Sequence, residues 1–324
     1  MRGALYSPPL AGGGRGRAFA RVLLCLAVIA ACRGQGLAGE IQNRLPPYDF
    51  PYHNGLYGTL AGLLEIKDVE LKDARSLKLN VPSFAQPLPV TAVIQDQVAP
   101  LAVVLLGLGG KAGSDLGRLW PSWLAEEGCH VLTFDSTFTP AFVEVSKHGV
   151  TGNIPAEAAR IKDIIAAFLA LPELHGKVSQ IGIAGMSYGG LETLALAQMA
   201  GQGKLPFAVA RYQAYCPPIR FQRTVEIIDR WFAEDRWQYT LSEMASELAT
   251  HKPVLSDDEI PFSNSFLRAG LSAILRLGLL DVVAKNNEVY SLKLLPPDKD
   301  YNDAKVRQEY ASAWGCTKFI SDMS

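Results

Sequence analysis

The stretch Gly185-Met186-Ser187-Tyr188-Gly189-Gly190 restricts the fold more than any other part of this chain. Residues 177–184 before it read as a short buried strand, and residues 191–200 after it read as a helix. The backbone must therefore pass from strand to helix within a few residues. A turn this tight strains the residue at its apex and leaves no room for a Cβ on its flanks, which is the need that glycine at 185 and 189 meets. Ser187 stands at the apex.

The neighbouring sequence repeats the alternation of strand and helix. Residues 101–106 are an unbroken apolar run that leads into Gly107-Leu108-Gly109-Gly110. Such a run is what a strand buried on both faces of a parallel sheet requires. Residues 115–127 read as a helix with Pro121 at a kink or restart. Residues 130–135 read as another buried strand, and a long loop carrying Phe138, Phe142, Lys147 and His148 follows. Residues 155–170 form an amphipathic helix, with Pro155 in its first turn and Ile161, Ile164, Ile165 and Phe168 at helical spacing. A further strand covers residues 208–215. Upstream, residues 62–71, 76–81 and 90–94 read as strands, with Pro82, Pro87 and Pro89 as breaks. Together these predict an α/β chain with a mostly parallel sheet and helices on both faces.

From Pro217 the pattern changes to helices alone, at residues 221–237, 241–250, 266–284 and 303–322. Residues 266–284 are strongly apolar, but Arg268, Arg276 and Asp281 interrupt them, which argues against a membrane span. A helical region laid over the carboxyl edge of the sheet is the simpler reading.

A net charge of −1 gives no electrostatic footprint for nucleic acid. The glycines of residues 107–113 miss the G-x-G-x-x-G spacing, and neither a Gly-Lys-Ser/Thr nor a His-Glu-x-x-His pattern occurs. No cofactor and no metal are expected. At the N-terminus, Arg15, Arg17 and Arg21 precede an apolar run from Val22 to Ala31, the pattern of a secretory signal too short to span a bilayer. Its end, Ile29-Ala30-Ala31-Cys32, resembles the lipobox of bacterial lipoproteins. That resemblance implies acylation of Cys32, a membrane anchor and, in a bacterium with two membranes, the outer membrane, since Arg33 carries no retention signal. An ordinary signal peptide cut after Ala38, giving a periplasmic or secreted protein, is the alternative. Beyond the signal, Cys129, Cys216 and Cys316 allow at most one bridge, with the pairing open. The expected organisation is a signal peptide at 1–31, a tether at 32–60, an α/β core at 61–216 and a helical cap-like region at 217–324.

A G-x-S-x-G between a strand and a helix is similar to the nucleophile elbow of the α/β-hydrolases. Gly107-Leu108-Gly109-Gly110 resembles the glycine-rich turn that follows the third strand in that family, although Leu106 stands where the family often has histidine. The helical region after Pro217 resembles the cap inserted after the sixth strand. The resemblance implies a serine hydrolase that takes a small-molecule ester or amide, or a peptide. Ser187 would be the nucleophile, and the backbone N–H groups of Tyr188 and Leu108 would stabilise the oxyanion that develops on the carbonyl.

One part of the pattern is missing. A serine hydroxyl needs a base, and the family supplies acid and then histidine after the serine. Here only His251 follows Ser187, in Thr250-His251-Lys252-Pro253, with Asp257, Asp258 and Glu259 shortly after. Three readings stay open. The chain is a piece that lacks the last strands of the sheet, with an exposed apolar sheet edge; or its elbow is vestigial and the capped cleft binds an apolar or peptide ligand; or His251 swings over the serine as the base. His53 and His148 precede the serine, His130 opens a strand and His175 sits in a connection, all read as structural or solvated. Asp135, at a strand end, either lines the pocket or caps a loop.

Overall fold

The apolar run at residues 101–106 becomes the centre of the sheet in a computed structural model that describes residues 56–57, 66, 68–146, 151–235, 262–296 and 298–323. Six strands are formed: β1 (Arg75–Leu79), β2 (Leu88–Val93), β3 (Ala99–Leu105), β4 (His130–Thr133), β5 (Val178–Met186) and β6 (Arg211–Tyr215). Their order is β1-β2-β4-β3-β5-β6. β2 pairs antiparallel with β1 and β4, while β4, β3, β5 and β6 are mutually parallel. The fold class is α/β, with a mostly parallel sheet.

Period-two alternation on β3 decides what each face packs against. Val103 and Leu105 join Ile161, Ile164, Ile165 and Phe168 of α3 (Ile154–Leu169) and Leu196 of α4 (Tyr188–Gly201) on one face. Val104 and Leu106 join Leu124 of α1 (Asp115–Glu126) and Val131 on the other. Helices thus cover both faces, as the alternating sequence predicts. β6 is an edge strand among the described residues, and its residues are half-buried to exposed. Beyond α1, Ala102, Gly182, Ala184 and Gln213 line an apolar recess on the sheet face.

Several boundaries differ from the sequence reading. β2 begins before Val90 and includes Pro89, which faces Lys78 of β1. β4 pairs only with residues 91–93, so the missing N–H of Pro89 costs no ladder bond on that side. Asp68 to Leu71, the described end of the expected strand 62–71, is not a strand. The loop after β4 contains a short helix, α2 (Pro140–Val145), capped by the Thr139 hydroxyl. Its six residues are too few to show a periodicity.

After β6 the described chain is helical: α5 (Phe221–Asp235), α6 (Asn264–Tyr290), α7 (Ala304–Ala313) and α8 (Cys316–Met323). The single helix expected at 303–322 is broken at Gly315. The Asp229 carboxylate of α5 accepts the N–H groups of Cys316 and Thr317, capping α8. A Cβ on Gly315 would come within 2.5 Å of that carboxylate, so the break and the cap are one feature. Two of the charges that interrupt α6, Arg276 and Asp281, have charged partners on neighbouring helices. Arg276 donates to Asp229 Oδ1 at 2.9 Å and lies over the Phe232 ring, and Asp281 is paired with Arg307. No described helix is long and apolar enough to cross a membrane.

The signal segment 1–31, Cys32, most of the tether 32–60, His53, His148, the helix expected at 241–250, His251 and Asp257 to Glu259 lie outside the described residues.

Candidate active site

Ser187 closes the carboxyl end of β5 and caps α4, with φ 53° and ψ −118°, and it is exposed. A positive φ on a non-glycine residue costs on the order of 1–3 kcal/mol and persists only where the surroundings hold it. They do so here. The Ser187 N–H donates to the Tyr215 carbonyl at the end of β6 at 2.8 Å. A Cβ on Gly185 would lie 2.0 Å from the Gly189 carbonyl oxygen, and one on Gly189 would lie 2.4 Å from that of Leu105. Backbone passes over backbone on both flanks of the serine, and only glycine permits it.

The glycine-rich turn meets the serine from β3. A Cβ on Gly107 would sit 3.3 Å from Ser187 Cβ and 3.9 Å from its Oγ. The turn is closed by the Gly110 N–H donating to the Gly107 carbonyl at 2.8 Å, with Gly109 at φ 72°, so Leu108 and Gly109 are its central pair. Two further bonds hold it. The Ser136 N–H donates to the Gly110 carbonyl, and the Ala112 N–H donates to Asp135 Oδ1 at 2.8 Å. Asp135 is therefore a loop cap, the second of its two sequence readings, and it also lines a shallow recess with Ala112 and Phe142. The Leu108 side chain packs toward the helical region. The amide of Tyr188 opens α4, where the first N–H groups have no intrahelical partner.

The histidines among the described residues stand at the other end of the sheet. His130 pairs in register with Leu101, and Leu101 with Ile181, about six residues or roughly 20 Å along β5 from Ser187. His130 is fully buried; its Nδ1 accepts the Gln95 N–H, which leaves Nε2 to donate to the Lys177 carbonyl. Burial lowers its pKa, so it is a neutral structural histidine. His175 is exposed just before β5, at the same amino end.

Beneath the elbow lies a polar cluster that the sequence reading missed. Tyr188 is 1% exposed, Glu157 0% and Glu192 2%. The Tyr188 hydroxyl donates to Glu157 Oε2 at 2.5 Å, the Gly152 N–H donates to Glu157 Oε1 at 2.8 Å, and the Thr137 hydroxyl donates to Glu192 Oε1 at 2.7 Å. Burial raises the pKa of both glutamates. For Glu157, the Gly152 and Tyr188 hydrogen bonds and the nearby Arg160 oppose that rise. For Glu192 the Glu157 carboxyl adds to the rise, and the Thr137 hydrogen bond opposes it. The Tyr188 ring also packs edge-on to Phe138 at 4.5 Å and lies 5.3 Å from Phe221 of α5, at the junction of sheet and helical region. The clue was present in the sequence: Glu157 falls on the stripe of Ile161, Ile164 and Phe168, and Glu192 lies one helical turn after Tyr188.

No protein-family model matches the chain, and no curated protein matches it by sequence. Solved structures that resemble it include an esterase of the archaeon Pyrobaculum calidifontis, with 14% identity, 67% of this chain and 66% of that one covered, and a TM-score of 0.38. Another is the carboxylesterase CesB of Bacillus subtilis, with 11% identity, 68% and 65% covered, and a TM-score of 0.35. A third is a dienelactone hydrolase from Anabaena variabilis, with 17% identity, 41% and 60% covered, and a TM-score of 0.33. The chain spans 60% to 66% of the length of these three structures. The fold class rests on the chain's own strand order, with a serine at the strand–helix turn after the fifth strand.

Proposed function

We propose that the protein is a serine hydrolase that cleaves an ester or amide by acyl transfer to Ser187. One observation carries this reading: an exposed serine is held at positive φ by a turn whose two flanking glycines leave no space for a Cβ. The Tyr188 and Leu108 N–H groups take the oxyanion roles, because the first opens a helix and the second belongs to a closed turn against the serine. His251, which follows the serine in the sequence and lies outside the described residues, is one of the open readings for the base, beside a segment that this sequence does not contain. In a short-chain aryl ester assay, Ser187→Ala should lower kcat/KM by at least about 1,000-fold. Hydrolysis equal in the variant and the parent would sink the assignment.

A second reading, a non-catalytic binding protein with an apolar or peptide ligand in the capped cleft, is favoured by a separate observation. No histidine among the described residues stands at the carboxyl edge of the sheet. A folded protein with no esterase activity and no reaction with an acylating probe would select it.

We further propose an exported, lipid-anchored protein with the fold divided at 61–216 and 217–324, from the basic and apolar N-terminus and the Ile29-Ala30-Ala31-Cys32 sequence. Cys32→Ala should release the protein from the membrane fraction or leave its precursor uncleaved; unchanged partitioning would refute the anchor.

A further inference from the structure

The buried polar cluster reaches further than the elbow. On α6, Asn286 is fully buried. It accepts the Thr151 N–H at Oδ1 (3.3 Å) and donates from Nδ2 to Thr151 Oγ1 (3.3 Å) and the Val282 carbonyl (2.8 Å). The next residue, Gly152, donates its N–H to Glu157, which in turn accepts the Tyr188 hydroxyl. Thr151 Oγ1 also reaches the Thr137 carbonyl at 3.5 Å, and Thr137 bonds Glu192. Hydrogen bonds linked through the Thr151–Gly152 peptide therefore join the long helix of the helical region to the residue after Ser187. Burying two carboxyl groups is costly even when they are hydrogen-bonded, and apolar side chains would fill the same space without that cost. The first turn of α4 gains a fixed direction in return, because the short bond to Glu157 allows the Tyr188 side chain one position.

We propose that Glu157 is a positioning residue for Ser187: through the Tyr188 hydroxyl it fixes the first turn of α4, and Asn286 holds the 151–152 segment that fixes Glu157. The catalytic meaning of this arrangement rests on the serine hydrolase reading, since the amide it sets is the one assigned to the oxyanion. The arrangement itself does not. The elbow has to stay rigid because a serine at positive φ relaxes as soon as its supports loosen. The path from Glu157 to the elbow is the Tyr188 hydroxyl.

Amide hydrogen exchange of the peptide spanning residues 185–193 tests the proposal without requiring activity. Tyr188→Phe removes one oxygen and keeps the packed ring, and Glu157→Ala removes the acceptor. Each should speed exchange of the elbow amides by about tenfold or more, while peptides from β1 and β2 exchange as in the parent protein. Because both act on one bond, the double variant should be no worse than the poorer single variant. Elbow exchange unchanged in Tyr188→Phe, or fully additive effects in the double variant, would overturn the proposal. Faster elbow exchange accompanied by faster exchange throughout the sheet would overturn it as well, since that is loss of general stability. Reaction of Ser187 with a fluorophosphonate is read in parallel. A loosened elbow in a variant of a parent that never reacts leaves the positioning role standing and rejects the nucleophile; a reacting parent with an unchanged elbow does the reverse.

Discussion

Replacing Gly185 by alanine is expected to lower stability by about 3 kcal/mol or more and to abolish any chemistry at Ser187. The added methyl would lie 2.0 Å from the Gly189 carbonyl oxygen, 2.3 Å from its carbon and 2.4 Å from Thr193 Oγ1. Two of these atoms are backbone in the first turn of α4, so relief requires the helix to move rather than a side chain to rotate. Forced overpacking of this kind costs about 1–3 kcal/mol where neighbours yield, and more where they are backbone. Gly182, on the same strand, is the internal control. A Cβ there meets nothing within 4 Å, so Gly182→Ala should be neutral or stabilising by up to about 1 kcal/mol. Chemical denaturation of the two variants checks the contrast. Equal stabilities would mean that the strand and helix do not cross at this closeness.

The second large effect is on the pH dependence of stability. Glu157 and Glu192 both have raised pKa values in the folded protein, burial being the main cause. In the unfolded chain a glutamate releases its proton near pH ~4.3. A raised folded value means that the folded state binds more protons than the unfolded state above that pH. The stability these carboxyls contribute is fully present below the unfolded value and is lost as pH rises toward the folded one. His130 acts with the opposite sign. Its lowered pKa makes the unfolded state take up the extra proton, so stability is lost as pH falls below ~6.5. Between about pH 7.5 and 8.5 the histidine is neutral in both states and the glutamates dominate; above about pH 8.5 buried Cys316, its thiol pushed up to about 12, adds a loss of the same sign. Stability, and Tm with it, should therefore fall with rising pH across that window, the free energy by at most about 1.4 kcal/mol per pH unit for each proton retained. Glu192→Gln keeps an acceptor for the Thr137 hydroxyl and removes one of the two titrations, so its Tm should fall less steeply there than the parent's. A parent protein with a level Tm from about pH 7.5 to 8.5 would show that neither buried carboxyl retains its proton.

Strands within unbroken apolar runs, such as residues 101–106, were legible because burial on both faces leaves no room for another pattern. The elbow was legible because a close crossing of backbones needs glycine at fixed spacing. What escaped depends on contacts distant in sequence. The break at Gly315 is set by the carboxylate of Asp229, and no local propensity at 303–322 reports it. α2 had a local sign, Thr139 followed by Pro140 as cap and first residue, that its short length concealed. Tyr188 enters the sequence reading only through its backbone N–H, yet its side chain is a buried link between Glu157, Phe138 and Phe221. The glutamates were hidden for a chemical reason. A carboxyl on an apolar stripe signals either a surface edge or a buried network, and only the partners of the second, Thr137 and Gly152, distinguish the two. His130 and His175 were read as structural or solvated from the sequence, and the strand register adds that they stand at the amino end of the sheet.

The central claim is that the elbow presents a reactive serine, and one experiment addresses it directly. Folded protein treated with a fluorophosphonate should gain a single adduct by intact mass, mapped by peptide sequencing to Ser187 and absent from Ser187→Ala. A folded, cooperatively unfolding protein that stays unmodified, or one modified elsewhere with Ser187 untouched, would contradict it.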